Sequence, residues 1–231
     1  MNSLISYQLT DGIAILTLSH GKVNAISMAV IDAFNQALDQ AEQDQAVVII
    51  TSGPGILSAG YDLKVMSSGL DQAVPLVTAG SKLSRRLLAH PYPVIIACPG
   101  HAIAKGAFLL LSADYRIGVT GPFSIGLNEV QIGMTMPYTG IVIARNRLSP
   151  AAFERSVING EMFSPQGAAE AGFLDLLVEP EALADSAIAV AQSLKKISMK
   201  AHKNTKLRVR QTFLAAVDKA IELDKETLSL D

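Results

Sequence analysis

Val94-Ile95-Ile96-Ala97-Cys98 runs into Pro99-Gly100-His101-Ala102-Ile103-Ala104-Lys105-Gly106, which runs into Ala107-Phe108-Leu109-Leu110-Leu111. The first five residues are apolar without alternation, the pattern of a strand buried on both faces, as strands of parallel sheets are. The middle stretch is small-residue and glycine-bearing, so backbone there can approach a ligand closely. The last five read as a buried helix. Working outward, Val47-Val48-Ile49-Ile50-Thr51 is a second buried strand. It leads into Ser52-Gly53-Pro54-Gly55-Ile56-Leu57-Ser58-Ala59-Gly60-Tyr61-Asp62-Leu63, a second loop of the same kind. Tyr115-Arg116-Ile117-Gly118-Val119 is a third strand. Strand, loop and helix recur, which predicts an α/β chain with a parallel sheet. Ligands in such sheets sit at the loops leaving the carboxyl ends of the strands, where both small-residue loops fall.

The flanks agree. Asp11-Gly12 between Ile5–Leu9 and Ile13–Leu18 predicts a hairpin. Ser27 is an N-cap for a helix over about residues 28–44, with Ile31, Phe34, Leu38 and Ala41 on one face. A further helix covers about residues 71–89, and Pro91-Tyr92-Pro93 ends it. Ser149-Pro150 and Ser164-Pro165 signal helix starts. Leu174–Val178 reads as a short edge strand. Leu183, Ala187, Val190 and Leu194 form one helical stripe, and Phe213, Val217 and Ile221 another. The pattern turns helical near Gly160-Glu161, so residues 1–160 are expected as the core and 161–231 as a helical C-terminal region. No internal repeat shows in the sequence.

One carboxylate stands out. Phe123-Ser124-Ile125-Gly126-Leu127-Asn128-Glu129-Val130-Gln131-Ile132-Gly133-Met134 places Glu129 in an apolar, glycine-punctuated run. Apolar neighbours disfavour the charged form and make a carboxylate a better proton acceptor. The competing reading puts Glu129 at the solvated border of a short helix. A dinucleotide-binding loop fails at the first small-residue stretch: Gly53 and Gly55 are correctly spaced, but Ser58 stands where the third glycine belongs.

Bulk composition narrows the classes. The chain has 231 residues, 49% hydrophobic and 17% charged, enough apolar material for a sizeable core. The low charged content predicts surface buried between subunits. A net charge of -2 argues against nucleic acid or an anionic membrane as the main partner. No apolar run reaches membrane-spanning length, and Met1–Tyr7 lacks the pattern of a secretory signal. Leu228–Asp231 is not a peroxisomal address, so a cytoplasmic protein is expected. Cys98 has no partner cysteine, and His20, His90, His101 and His202 are scattered, so no metal or redox cofactor is expected.

Three segments together resemble the crotonase superfamily, the enoyl-CoA hydratases and isomerases. They are Ser58-Ala59-Gly60-Tyr61-Asp62-Leu63; Gly100 to Gly106 with Asp114-Tyr115-Arg116-Ile117; and Ile125-Gly126-Leu127-Asn128-Glu129 with Ile132-Gly133-Met134. Asn24-Ala25 fits as well, and the order is right over nearly the whole chain. The resemblance implies a spiral of ββα units with a helical C-terminal region that mediates trimerisation. It implies an acyl-CoA substrate, with coenzyme A part of the substrate rather than a cofactor, in a homotrimer or dimer of trimers.

Residue by residue, the resemblance implies Glu129 as the base. It implies the backbone amides of Tyr61 and Lys105 as the oxyanion hole for a thioester enolate, although glycine is usual at the position of Lys105. Lys22, Val23, Ala25, Ala59, Gly60, Asp62 and Leu63 match positions around CoA, and Gly106 and Phe108 belong to the substrate-binding set. Phe108 stands where hydratases carry a second glutamate. One base and an oxyanion hole suit a double-bond shift from 3-enoyl to trans-2-enoyl-CoA, closest to the Δ3,Δ2-enoyl-CoA isomerases. Hydration with a single carboxylate and a non-catalytic acyl-CoA-binding protein are the alternatives. The basic run Lys195, Lys196, Lys200, Lys203, Lys206, Arg208, Arg210 is a candidate for the CoA phosphates, against a solvated helix face.

Overall fold

The computed structural model describes residues 4–227. The two terminal signal readings rest partly on residues 1–3 and 228–231, which lie outside this range. The chain opens with β1 (Ile5–Thr10) and β2 (Ile13–Leu18), antiparallel, with Thr10 opposite Ile13. Asp11 and Gly12 between them have φ of 48° and 69°, the paired positive values that a tight two-residue hairpin turn needs. α1 (Met28–Gln43) follows, capped by the Ser27 side chain, which accepts from the Val30 amide; Ile31, Phe34, Leu38 and Ala41 are its buried face.

Next come three strand pairs that share one plan. β3 (Val47–Ser52) leads to β4 (Gly55–Ser58), then to α2 (Leu63–Met66) and α3 (Leu70–Ala89). β5 (Val94–Cys98) leads to β6 (Gly100–Ile103) and α4 (Lys105–Leu111). β7 (Tyr115–Val119) leads to β8 (Ile125–Gly126), a short 3-10 helix (Glu129–Ile132) and α5 (Tyr138–Arg147). The first strand of each pair joins a six-stranded sheet, β1-β2-β3-β5-β7-β10. The second joins a four-stranded sheet, β4-β6-β8-β9. All neighbours in the larger sheet from β2 onward run parallel.

The chain closes with α6 (Pro150–Val157), β9 (Met162–Phe163), α7 (Pro165–Ala171), β10 (Leu176–Val178), α8 (Leu183–Lys195), α9 (Met199–Val209) and α10 (Gln211–Thr227). Ser149 and Ser164 cap α6 and α7 through their hydroxyls, with proline at the first helical position, as the sequence predicts. The expected edge strand is β10, paired to β7.

Two apolar clusters form on the opposite faces of the large sheet. One holds Leu16, Val48, Ile50 and Ile96 from the strands with Phe34, Leu76, Leu87 and Leu110 from the helices. The other holds Ile13, Ile49, Ile95 and Ile117 under Leu183, Ala187 and Ala191 of α8. Alternate residues of the same strands serve both, which is why these runs show no polar alternation.

One correction concerns the two small-residue stretches, read as loops. Each contains a strand, β4 and β6, which pair with one another and, through β6, with β8. These strands are two to four residues long and rich in glycine and serine. Their pairing is supplied by segments distant in sequence, Gly55 with Gly100 and Ala102 with Ile125, and no local periodicity announces it.

Candidate active site

The carboxyl ends of β3 and β5 deliver the two stretches to one place through the small sheet. Gly60 has φ of 105°, and a side-chain carbon there would stand 3.0 Å from Ala104 Cβ and 3.5 Å from the Lys105 amide nitrogen. The backbones therefore touch, and glycine is what permits it. Ala104 itself has φ of 50°, an uncommon left-handed conformation that turns the chain sharply into α4.

Two amides are left over at this contact. The Ile26 amide donates to Gly60 O at 2.8 Å, and the Asp62 amide donates to Ile26 O at 3.1 Å. This bridge uses the residues on either side of Tyr61 and leaves the Tyr61 amide without a backbone acceptor among the described residues. Lys105 is the first residue of α4, where a helix has no preceding turn to accept its N–H. Tyr61 and Lys105, adjacent through the Gly60–Ala104 contact, both line a cavity of about 390 Å³.

Glu129 comes to the same cavity from the third strand pair, at the start of the 3-10 helix after β8. It is 6% exposed, and its Oε2 has no hydrogen-bond partner among the described residues. Burial pushes its carboxyl up to about 7, only partly offset by its own backbone amide. The solvated-border reading of Glu129 is thus excluded: the carboxylate is buried. Among the described residues lining the cavity, Glu129 is the sole carboxylate. The rest of the wall is mainly apolar, with Leu63, Met66, Val77, Phe108, Met134 and Ile143 among it. Phe108 sits one helical turn beyond Lys105 and faces the same space, with its ring against Gly140 of α5.

Lys105 departs from expectation most. A lysine at a helix start is ordinarily solvated, but this one is 3% exposed. Its Nζ donates to Gly80 O at 2.5 Å and to Ser84 Oγ at 2.6 Å, both on α3. Burial alone pushes the amine down to about 7. The Tyr61 ring lies over it, 6.0 Å from Nζ to the centroid. Burial, with Glu129 and Asp224 nearby, raises the Tyr61 hydroxyl above its ordinary value.

Of the remaining sequence candidates, Ala59 and Leu63 line the cavity. Lys22, Val23 and Ala25 do not, but their loop is tied to it: the Ala59 amide donates to Val23 O at 3.0 Å. Asp62 caps α2, accepting from the Lys64 amide at 2.9 Å. Gly106 is turned toward β4, with the Ser58 carbonyl oxygen 2.3 Å from where a side chain would begin. Sequence reasoning missed Ser81, Ser84, Asn128 and Thr139, which also line the cavity. Ser81 and Ser84 were legible in principle. They lie four and seven residues after the buried Val77, on the face of a helix otherwise occupied by leucines.

The basic run is elsewhere in this chain. Lys206 Nζ meets Asp114 Oδ2 at 2.6 Å and His90 O at 2.8 Å, and Arg210 meets Asp114 Oδ1 at 2.9 Å. Lys195 reaches Asp11 in the β1–β2 turn. These partners sit at or before the amino ends of β2, β5 and β7, the sheet edge opposite the site. Nor is the run simply a solvated face, since Lys206 and Arg210 are largely buried.

Comparison with known proteins agrees with this arrangement. Residues 8–230 match the sequence model of the family described as enoyl-CoA hydratase/isomerase. The chain is similar to the crystal structure of an enoyl-CoA hydratase/isomerase family protein from Pseudomonas syringae, with TM-score 0.97 and 65% identity, covering 97% of this chain and 98% of that one. It is similar to an enoyl-CoA isomerase of Mycobacterium tuberculosis, with TM-score 0.92 and 37% identity over 96% and 97% of the two chains. It is also 30% identical to the mitochondrial enoyl-CoA delta isomerase 1 of Mus musculus over 227 residues, 96% of this chain and 78% of that one. The chain belongs to the enoyl-CoA hydratase/isomerase family, the crotonase superfamily, and has its fold. Among the described residues no helix is long and apolar enough to cross a membrane.

Proposed function

We propose that this protein shifts the double bond of a 3-enoyl-CoA to give the trans-2-enoyl-CoA, with Glu129 as the proton carrier. The observation that carries the choice is a single buried carboxylate, unpartnered at Oε2, sharing its cavity with Phe108 instead of a second acid. Glu129 removes a proton from C2, and the electrons pass through the former double bond and the thioester carbonyl to give a dienolate. The Tyr61 and Lys105 amides hold the enolate oxygen; being fixed in backbone, they need no reorganisation as charge develops. Glu129 then returns the same proton to C4, and the double bond closes between C2 and C3. Hydration would need a water to be oriented and split, and a phenyl ring does neither. The name of the mouse relative supports the same choice, while structures of the mycobacterial relative carry both the isomerase and the hydratase name.

The reaction as written moves only a proton, so activity is expected to survive exhaustive EDTA treatment and desalting. A homotrimer or dimer of trimers is expected, in keeping with Ile158 and Val209 on the surface at 64% and 78% exposure; light scattering measures it. The test of the reaction is a chromatographic assay with trans-3-enoyl-CoA and trans-2-enoyl-CoA side by side. Isomerisation of the first should outrun hydration of the second, and the reverse order would assign the protein as a hydratase.

A further inference from the structure

The cavity beside Glu129 is more polar than a plain hydrocarbon chain requires. Lys105 is the main anomaly. An ammonium carries three donors, and two of them go to Gly80 O and Ser84 Oγ. Among the described residues no carboxylate pairs with it, although Lys105 is 97% removed from solvent. Glu129 lines the same cavity but forms no ion pair with Lys105, whose amine is lowered by burial. Asp224 spends its carboxylate on the Tyr138 and Thr139 amides, at 2.6 and 3.0 Å. A buried cation without a counter-charge is costly, so this amine gives up its proton readily, and a ligand that supplies an acceptor would favour its charged form.

A second set of atoms points the same way. Thr139 lines the cavity, is 3% exposed, and its Oγ1, which can donate, has no hydrogen-bond partner among the described residues. Ser81 and Ser84 add hydroxyls on the α3 side. An apolar pocket uses a few placed polar groups of this kind to fix orientation and select ligands. Nothing in the proton shift at C2 and C4 needs Lys105 Nζ, because the enolate oxygen is served by the backbone amides.

We propose that the Lys105 ammonium, with the hydroxyls around it, recognises an oxygen acceptor on the acyl chain beyond the reacting carbons, so that the preferred substrates are acyl-CoAs bearing a distal carboxylate or keto group. The inference rests on the cavity taking the acyl chain, as in the function proposed above. A carboxylate complements the unpaired cation most fully; a keto oxygen would accept the spare N–H without neutralising the charge.

The test uses saturated acyl-CoAs, which bind without reacting. Dissociation constants of the full chain are measured by calorimetry for hexanoyl-CoA, 5-oxohexanoyl-CoA and hexanedioyl-CoA, and for octanoyl-CoA and octanedioyl-CoA so that chain length does not decide the answer. At least one oxygenated chain should bind 10-fold or more tightly than its plain counterpart. In Lys105→Met, which keeps the apolar stem and removes the donors, that ratio should fall to about twofold or less. Lys105→Gln, checked for folding by circular dichroism, keeps a neutral donor and should retain preference for the keto chain over the carboxylate. Plain chains binding as tightly as oxygenated ones, or a preference that persists in both variants, would overturn the inference while leaving the isomerase reading intact. No binding of any acyl-CoA would overturn both.

Discussion

Charge is buried in two regions of this molecule, and they are handled differently. At the amino edge of the large sheet, Asp114 holds Lys206 at 2.6 Å and Arg210 at 2.9 Å, and also accepts from the Val94 amide at 2.8 Å. Arg116 grips Asp175 through two guanidinium nitrogens close by. Lys206, Arg210 and Arg116 there each meet a carboxylate, and the cluster ties the end of α9 to the segments that enter β5 and β7. At the opposite edge, Glu129 Oε2 has no partner among the described residues, and Lys105 Nζ meets only the neutral Gly80 O and Ser84 Oγ. Satisfied buried charge fixes a shape, whereas unsatisfied buried charge must wait for a ligand, since the desolvation it costs is not returned within the protein. The contrast predicts that changes at the first region act on stability and changes at the second act on activity.

The sharpest break is Glu129→Gln. It keeps the shape and removes the basicity, so kcat/KM for isomerisation should fall on the order of 10²–10⁴-fold, the range for a general base. Affinity for a saturated acyl-CoA should change little, because the residues proposed to contact CoA do not include Glu129. A variant that keeps most of its turnover would show the carboxylate to be structural, and the two regions would then be alike.

The converse change is Asp114→Ala. It leaves two buried cations uncompensated and removes the acceptor of the Val94 amide. The cost should be about 3–5 kcal/mol of stability, the range for breaking a buried ion pair. Turnover per folded molecule, measured well below the melting point, should be unchanged. Chemical denaturation alongside active-site titration separates the two quantities.

The unsatisfied pair also has a signature in pH. The Glu129 carboxyl is raised from 4.5 to about 7, so the folded state binds its proton more tightly than the unfolded state does. Wild-type stability relative to Glu129→Gln is thus lost as pH rises from about 4.5 through 7, by on the order of 3 kcal/mol. Lys105 is lowered from 10.5 to about 7, so its penalty is complete below 7 and relieved between 7 and 10.5. Wild-type stability relative to the double variant Glu129→Gln/Lys105→Met should therefore pass through a minimum near pH 7, where both penalties are largely present. Isomerase activity should rise with pH through about 7 as Glu129 ionises. A flat stability difference across this range would show that both groups have partners in solution.

The two regions were unequally legible in the sequence. The parallel strands declared themselves through unbroken apolar runs such as Val47–Ile50 and Val94–Cys98, and Ser27, Ser149 and Ser164 marked the helix starts that the structure has. Glu129 was legible because a carboxylate in an apolar, glycine-punctuated run has few ordinary explanations. The small sheet was not, since β4, β6, β8 and β9 are two to four residues long and their partners are distant in sequence. For the same reason the three strand pairs gave no sequence repeat: what recurs is a path through two sheets. The burial of the Lys105 and Lys206 side chains was not legible, because a lone lysine carries no local sign of it. Lys105 is inside because it packs under α3, and Lys206, on α9, because it packs against His90, Tyr92 and Asp114, both facts of tertiary packing.

The smallest effect is expected from Lys195→Met. Lys195 Nζ lies 2.7 Å from Asp11 Oδ2 and 2.7 Å from Asp11 O, which resembles the Asp114 cluster on distances alone. Exposure distinguishes them: the Lys195 and Asp11 side chains are 37% and 76% accessible, against 4% and 13% for Lys206 and Asp114. Water competes for both exposed groups, salt screens them, and holding a long side chain in place costs entropy. The pair should thus contribute about 0–1 kcal/mol. Lys195 also lies at the sheet edge away from the cavity, so the KM for an enoyl-CoA should be unchanged when its charge is removed. A several-fold rise in KM in Lys195→Met, larger at low salt, would place a CoA phosphate near α8, from a neighbouring subunit, and return the basic run to the binding site.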